Sequence, residues 1–289
     1  MRHLILLLLA TAFAHAAVSP DRSEDIRHLL REHNVAAAEI AAKALVAASP
    51  AEAEAYALLG AVQVAKGDAD AAVRAWAKAV ELAPASSDYQ QQLGDTYGFA
   101  AQKAGMLGMI GLAKKCRRAY EQAVALDPRN LGARQSLLDF YQMAPGLMGG
   151  GMDKAYEQAA AISGLDPARG RRAYAMLHAT DRKYDVAFAE FEEVLKAAPD
   201  DYAALYQVGK LAALSGQFLD RGLASLRHCL ELSQPAAADT PNHAAAHWRI
   251  GNILEKKNDA AGARAAYQAA LKLDATLTQA ADALKHLRP

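Results

Sequence analysis

The sequence predicts an all-α fold, a right-handed solenoid of stacked helix-turn-helix repeats, on two observations. Hydrophobic residues make up 53% of the 289-residue chain, while aromatic residues make up only 7%. The apolar mass is therefore mostly Ala, Leu and Val, and Ala is the strongest helix former. Prolines that follow Ala-rich stretches recur at spacings of 34, 44, 39, 32 and 36 residues, at Pro50, Pro84, Pro128, Pro167, Pro199 and Pro235. A period near 34 residues with a terminal proline is typical of helical-hairpin repeats.

The clearest repeat covers residues 53–86, and its small and large residues each have a structural reason. Gly60 and Ala72 are small where the two helices are expected to cross closely. Trp76 fills the space beside them, and Pro84 cannot continue the second helix. The signature residues are Tyr56, Leu59, Gly60, Gly67, Ala72, Trp76, Ala79 and Pro84. This pattern resembles the tetratricopeptide repeat (TPR), and the resemblance covers nearly all of the chain after its first residues.

The repeats organise the chain into one predicted domain. Residues 18–289 are expected to form a single TPR solenoid, with an N-terminal helical pair, about six repeats and a C-terminal capping helix over 276–287. Residues 1–17 are interpreted as a cleavable signal peptide, because a positive charge, a short apolar run and small residues follow one another. An uncleaved anchor is the alternative. A signal peptide predicts a periplasmic or secreted protein without a transmembrane segment in the mature chain.

Two repeats are longer than the period, and matching both of their helices places the extra residues near 98–112 and 143–153. These two inserts contain five of the seven methionines. They are expected on the same edge of adjacent repeats. Pro145-Gly146 and the three glycines at 149–151 predict non-helical backbone.

Three interpretations of the methionines in the inserts stay open. The side chains can pack the inserts onto the solenoid, because Met adapts to irregular gaps. They can form an apolar surface for a protein or lipid partner. They can also bind Cu(I), which selects thioether ligands, through Met106 with Met109 and Met148 with Met152.

Charge and cysteine content exclude some classes of function. The chain has 32 basic and 32 acidic residues, which is unlike the basic footprint of a nucleic-acid-binding protein. Cys116 and Cys229 lie about three repeats apart, and repeats contact only their neighbours. A disulfide needs Cα atoms within ~7 Å, so two buried free thiols are expected.

The sequence contains no motif that predicts an enzyme, a cofactor or a metal centre. A His-Glu-x-x-His helix, a Gly-x-Ser-x-Gly elbow and a dinucleotide fingerprint are all missing. His243 and His247 are four residues apart on a predicted helix, which is compatible with a metal pair. Packing is the favoured interpretation, because His247 occupies a core position of its repeat and no third ligand is evident.

The resemblance to TPR proteins implies a concave groove lined by the first helix of each repeat. Carried over residue by residue, it predicts partner-binding positions at Gln91, Asp95, Gln135, Asp139, Arg172, Tyr206, Lys210, Trp248 and Asn252. Tyr206 and Trp248 are expected to be anchors, because large amphipathic side chains dominate interfaces. The predicted function is a non-catalytic scaffold of the cell envelope that binds a peptide or protein. The alternative is a Cu(I)-binding or membrane-contacting module that uses the inserts.

Overall fold

The structure, a computed structural model, describes residues 20–234 and 241–287. Over these residues the chain forms fifteen α-helices, one 3-10 turn and no strand, which confirms the predicted all-α fold. The helices are Pro20–Arg31 (α1), Val35–Ala48 (α2), Ala53–Lys66 (α3), Ala69–Leu82 (α4), Ser87–Lys103 (α5), Met106–Leu126 (α6), Leu131–Met143 (α7), Met152–Leu165 (α8), Pro167–Thr180 (α9), Tyr184–Ala197 (α10), Tyr202–Ser215 (α11), Leu219–Glu231 (α12), His243–Lys256 (α13), Ala260–Leu273 (α14) and Thr278–His286 (α15). The 3-10 turn is Gly146–Met148. The predicted signal peptide at 1–17 lies outside the described residues, as does Pro235.

Contacts divide the chain into two compact units, residues 1–151 and 152–289. In the first unit α1 packs with α2, α3 with α4 and α5 with α6, and α7 packs against α5 and α6. In the second unit α8 packs with α9, α9 with α10, α11 with α12 and α13 with α14. The division falls at the second insert, between α7 and α8. The sequence predicts that these two helices belong to one repeat.

Short polar side chains begin most of the helices and prolines follow their ends. The side-chain oxygens of Asn34, Asp68, Ser86, Asn130, Asp166, Asp201, Asn242 and Asp259 each accept a hydrogen bond from the third helical backbone N–H, a standard N-cap. Helices α2, α4 and α6 end two residues before a proline. Pro167 differs, because it is also the first residue of α9, where its missing N–H costs nothing.

Glycine on the first helix of a hairpin faces a large ring on the second. A Cβ atom added to Gly60 would lie 2.6 Å from the Trp76 ring, and one added to Gly94 would lie 2.5 Å from the Tyr120 ring. Gly251 has the same relation to Tyr267, at 2.3 Å. Glycine is therefore needed at these positions for two reasons: the two helices cross closely, and the facing ring leaves no room for a Cβ atom.

The first insert is helical. Helix α5 has 17 residues and α6 has 21, whereas the helices of the other hairpins have 12 to 14. The extra residues lengthen both helices, and only Ala104 and Gly105 separate them. Gly108 and Gly111 lie within α6 and neither has a positive φ, so the neighbouring Met and Leu residues set a helical backbone.

The second insert has the predicted non-helical backbone. Its 3-10 turn is followed by Gly149 with φ of 95°, a left-handed conformation that favours glycine. The backbone N–H of Gly151 donates to the carbonyl oxygen of Tyr141 at 2.8 Å. The turn packs against α6, where a Cβ atom added to Gly149 would lie 2.8 Å from the Arg117 side chain. That the two inserts lie side by side stays a prediction.

Helix α11 is the centre of the second unit's core. It contacts α10, α12 and α13, and nine of its fourteen residues are buried. The two cysteines are buried free thiols, as predicted, and burial raises the pKa of Cys116 to about 11 and that of Cys229 to about 12. None of the described helices combines the length and hydrophobicity needed to cross a membrane.

Candidate functional site

In the first unit, the predicted groove residues Gln91 and Asp95 of α5 form a polar network with Tyr120 of α6 and Ser136 of α7. The Tyr120 hydroxyl donates to the Asp95 carboxylate at 2.6 Å. The Ser136 hydroxyl bridges the two helices, because it donates to Asp95 at 3.5 Å and accepts from the Gln91 amide at 3.4 Å. Burial raises the pKa of Asp95, and its two hydrogen bonds partly offset this. Gln91 and Asp95 therefore hold α5 and α7 together with their own side chains.

Gln135 and Asp139 lie on the exposed side of α7. The Gln135 amide donates to Asp139 Oδ1 at 2.9 Å. Although the Asp139 side chain is exposed, surrounding protein atoms desolvate its carboxylate and raise its pKa. This pair is the accessible polar part of the predicted groove in the first unit.

In the second unit, Arg172 forms an ion pair within the fold and Tyr206 is part of the core. The Arg172 guanidinium forms an ion pair with Asp201, the residue that caps α11. Tyr206 is only 6% exposed and belongs to the central core cluster. The expectation that Tyr206 is an interface anchor is wrong, because α11 is packed on several sides and its fifth position faces the core.

Lys210 and Arg249 form a pair of cations without a counter-ion. Lys210 is partly buried, and burial together with the nearby charge of Arg249 lowers the pKa of its ammonium. The Arg249 guanidinium carbon lies 3.9 Å from the centre of the Trp248 ring, a cation–π arrangement. Its Nε is buried without a hydrogen-bond partner. Neither cation forms an ion pair with any carboxylate of the described residues.

An apolar cavity opens beside Lys210. It has a volume of about 230 Å³ and lies between α9, α10 and α11. Its lining consists of Met176, Ala179, Thr180, Tyr184, Phe191, Gln207, Lys210, Leu211 and Leu214. Leu214 is 58% exposed, and the polar side chains of the lining are those of Thr180, Tyr184, Gln207 and Lys210. An apolar cavity with a few polar groups at its edge is the usual form of a binding pocket.

Asn252 belongs to a network with the second helix of its own repeat. Its amide donates to the Tyr267 hydroxyl at 3.0 Å, and that hydroxyl donates to Glu255 at 2.8 Å. Burial and the bond to Glu255 raise the pKa of Tyr267 to about 12. The Asn252 amide is thus used in a hydrogen bond within its own repeat. The neighbouring Trp248 is partly exposed and packs on the core cluster.

Sequence reasoning missed Arg249, Gln207 and Leu214. Gln207 and Arg249 directly follow the predicted groove residues Tyr206 and Trp248, and Leu214 lies one turn after Lys210. Gln207 and Leu214 line the cavity, and the charge of Arg249 acts on Lys210. The signal that could have found them is local charge: the segment that holds Lys210 and the segment that holds Arg249 both lack an acidic residue within three positions.

The predicted histidine pair is used for packing. The His243 ring donates from Nε2 to the Leu232 carbonyl oxygen at 3.1 Å, and burial together with His243 lowers the pKa of His247. Among residues 20–234 and 241–287, no cluster of three or more His, Cys, Asp or Glu residues could hold a metal ion. Thioether binding of Cu(I) by Met106 and Met109 stays a prediction.

A sequence profile of the tetratricopeptide repeat matches residues 26–87 and 230–278. The first segment covers most of α1 to α4, and the second covers α13 and α14 with their flanking residues. No curated protein sequence matches the chain significantly.

Solved structures with tetratricopeptide-type folds align with most of the chain. A tetratricopeptide repeat protein from Parabacteroides merdae has a TM-score of 0.65 and 18% identity over 92% of this chain and 96% of that chain. PilF of Pseudomonas aeruginosa has a TM-score of 0.54 and 16% identity over 80% and 95%. A human IFIT1 dimer with PPP-AAAA has a TM-score of 0.64 and 16% identity over 92% and 63%. At such identities these likenesses show the fold.

Proposed function

We propose that the second unit binds an acidic segment of a protein partner. Support comes from the match to the tetratricopeptide repeat over residues 26–87 and 230–278 and from the likeness of the fold to a tetratricopeptide repeat protein, because this fold serves generally as a protein-interaction scaffold. The proposal concerns α9, α11 and α13, which are the first helices of their repeats. It makes the chain a scaffold without catalysis of its own. The observation that carries it is the uncompensated pair Lys210 and Arg249 beside an apolar cavity.

Two neighbouring cations without a counter-ion favour an anionic partner. Their mutual repulsion and partial burial make the charged state of Lys210 less favourable than in water, which is why its pKa is lowered. A carboxylate from a partner would offset both effects, because an opposite charge stabilises the ammonium.

The cavity adds a second requirement on the partner. Its walls are mostly apolar side chains, such as Met176, Phe191 and Leu211, and a buried apolar side chain gains about 1.5–3 kcal/mol. Lys210 lies at the edge of the cavity. The matching segment therefore carries Asp or Glu close to a bulky apolar residue such as Leu, Met or Phe.

Selection from a random peptide library tests this specificity. The full mature chain is immobilised and used to select 12-residue peptides. We expect enrichment of sequences that combine an acidic residue with a nearby Leu, Met or Phe. The charge-reversed variant K210E/R249E should not select them, whereas K272E/R264E, which reverses two exposed basic residues of α14, should select the same set as the wild type. Equal selection by K210E/R249E would contradict the proposal.

A nucleic acid is the competing anionic partner, and we propose that it is not the ligand. The balanced formal charge of the chain supports this, because nucleic-acid affinity comes mainly from many phosphate contacts. A labelled 5′-triphosphate oligo(A) tests it by fluorescence anisotropy. We expect no binding at 150 mM salt, and binding that depends on Lys210 would overturn the peptide assignment.

We also propose that the protein works in the cell envelope. Support comes from the sequence of residues 1–17, which has the order of a signal peptide. N-terminal sequencing of the protein isolated from its own cells should find Ala17 or Val18 as the first residue. A retained Met1 would contradict export by cleavage.

A further inference from the structure

The hairpin of α5 and α6 is longer than the other hairpins and ends in an apolar tip. Helix α6 has 21 residues, about 10 Å more than a 14-residue helix at 1.5 Å per residue. Its first buried residue is Ala113, so the seven residues before it form two turns outside the core. Met106 is 76% exposed and Leu107 is 87% exposed at the tip.

The same hairpin carries a block of positive charge without any acidic residue. Residues 96–120 contain five basic side chains and no Asp or Glu. Lys114 and Arg118 are exposed and form no ion pair with the described residues. Arg117 pairs with Glu121 at 3.2 Å, and the Lys103 ammonium lies 4.4 Å from the centre of the Phe99 ring. The apolar tip is therefore followed by a cationic band.

The second insert adds apolar surface to the same unit. Its 3-10 turn packs against α6 and exposes Leu147 to 71%. Met143, at the end of α7, is 82% exposed. The end of α7 and the 3-10 turn therefore add two exposed apolar side chains to those at the tip of the α5–α6 hairpin.

We propose that the tip of the α5–α6 hairpin docks on an anionic lipid surface. The two turns before Ala113 place Met106 and Leu107 among the acyl chains near the headgroups, and Lys114, Lys115 and Arg118 contact the lipid phosphates. An apolar tip and an adjacent basic cluster are the two signals that interfacial binding combines. This site lies in the first unit and is independent of the peptide site proposed for the second.

Vesicle co-sedimentation tests the lipid assignment. The full mature chain is mixed with vesicles of 70% phosphatidylcholine and 30% phosphatidylglycerol, or of phosphatidylcholine alone, at 50 mM salt. We expect binding to the anionic vesicles and at least about tenfold weaker binding to the neutral ones. Raising the salt to 500 mM should release most of the protein, because the Debye length shortens.

Two variants separate the apolar and the charged contributions. M106E/L107E and K114E/R118E should each weaken binding to the anionic vesicles by about tenfold or more. The control is I40E, an apolar-to-acidic change at the 73% exposed Ile40 of α2, which should change binding by less than twofold. All these positions are exposed, and circular dichroism checks that the variants are folded.

Three results would overturn the proposal. The wild type could fail to bind anionic vesicles at 50 mM salt. M106E/L107E could bind as well as the wild type, or I40E could lose as much binding as M106E/L107E. Capture of a protein that depends on Leu107, without any vesicle binding, would assign the tip to a protein instead.

Discussion

Individual glycines of this protein are small because a ring occupies the place of their side chain. The Tyr120 ring lies where a Cβ of Gly94 would be. Its hydroxyl is fixed by Asp95 at 2.6 Å, and the side chain is buried. The ring therefore cannot move aside without loss of a hydrogen bond and of core packing.

Replacement of Gly94 should consequently destabilise the first unit. We expect Gly94→Ala to cost about 1–3 kcal/mol through overpacking. Gly111→Ala is the matched control in the same hairpin, because nothing lies within 4 Å of its added Cβ. This control should stabilise by about 0.5–1 kcal/mol, since glycine is costly within a helix. Thermal unfolding followed by circular dichroism measures both, and a neutral Gly94→Ala would contradict the packing argument.

Lys210 should show opposite effects on stability and binding. Because its pKa is lowered in the folded state, the unfolded chain binds more protons, and stability rises with pH between the lowered pKa and the ordinary 10.5. Over the same window the ammonium loses its charge, so binding of an acidic peptide weakens.

Replacement of this lysine by methionine removes both effects. At pH 7 we expect Lys210→Met to raise stability by about 0.5–2 kcal/mol and to weaken binding of a selected acidic peptide. Lys272→Met at an exposed position of α14 should change neither quantity. A Lys210→Met variant that is less stable than the wild type would show that the ammonium has a favourable partner.

At the level of elements, most helices follow directly from the sequence, and the inserts show where such reasoning ends. Terminal prolines and the small and large signature residues predict hairpins such as α3–α4, because each residue has a local steric reason. Glycines suggest breaks, but in the first insert Gly108 and Gly111 adopt ordinary helical backbone, because their Met and Leu neighbours favour a helix.

Besides Gly149, the second insert depends on Gly150 for its backbone path. A Cβ on Gly150 would lie 1.7 Å from the Ala144 carbonyl oxygen, so Gly150→Ala must shift the turn and weaken the bond from Gly151 N–H to Tyr141. We expect a loss of about 1–3 kcal/mol. The neighbouring Gly151→Ala has nothing within 4 Å and should stay within about 0.5 kcal/mol of the wild type. Thermal unfolding compares the two, and equal stability of both variants would contradict this geometry.

For the whole molecule, the repeat pattern predicts the location of binding surfaces better than the residues that form them. Resemblance directs attention to Lys210 and Trp248 on the first helices of the second unit, which belong to the site proposed here. It fails for Tyr206, because burial depends on how many neighbours surround α11. It also misses Arg249, whose position matters only through its proximity to Lys210. The burial of Tyr206 and the proximity of Arg249 to Lys210 both depend on how neighbouring repeats pack. A comparison of single repeats with the family pattern carries no information on that packing.

The central claim is that Lys210 and Arg249 bind an acidic partner segment, and a charge swap tests it most directly. Isothermal titration measures a selected peptide, and the same peptide with its acidic residues changed to lysine, against the wild type and K210E/R249E. We predict that K210E/R249E loses at least about tenfold in affinity for the acidic peptide, because close ion pairs couple by more than 1.4 kcal/mol. The lysine peptide should bind this variant and not the wild type. Unchanged affinity of the acidic peptide for K210E/R249E would contradict the claim.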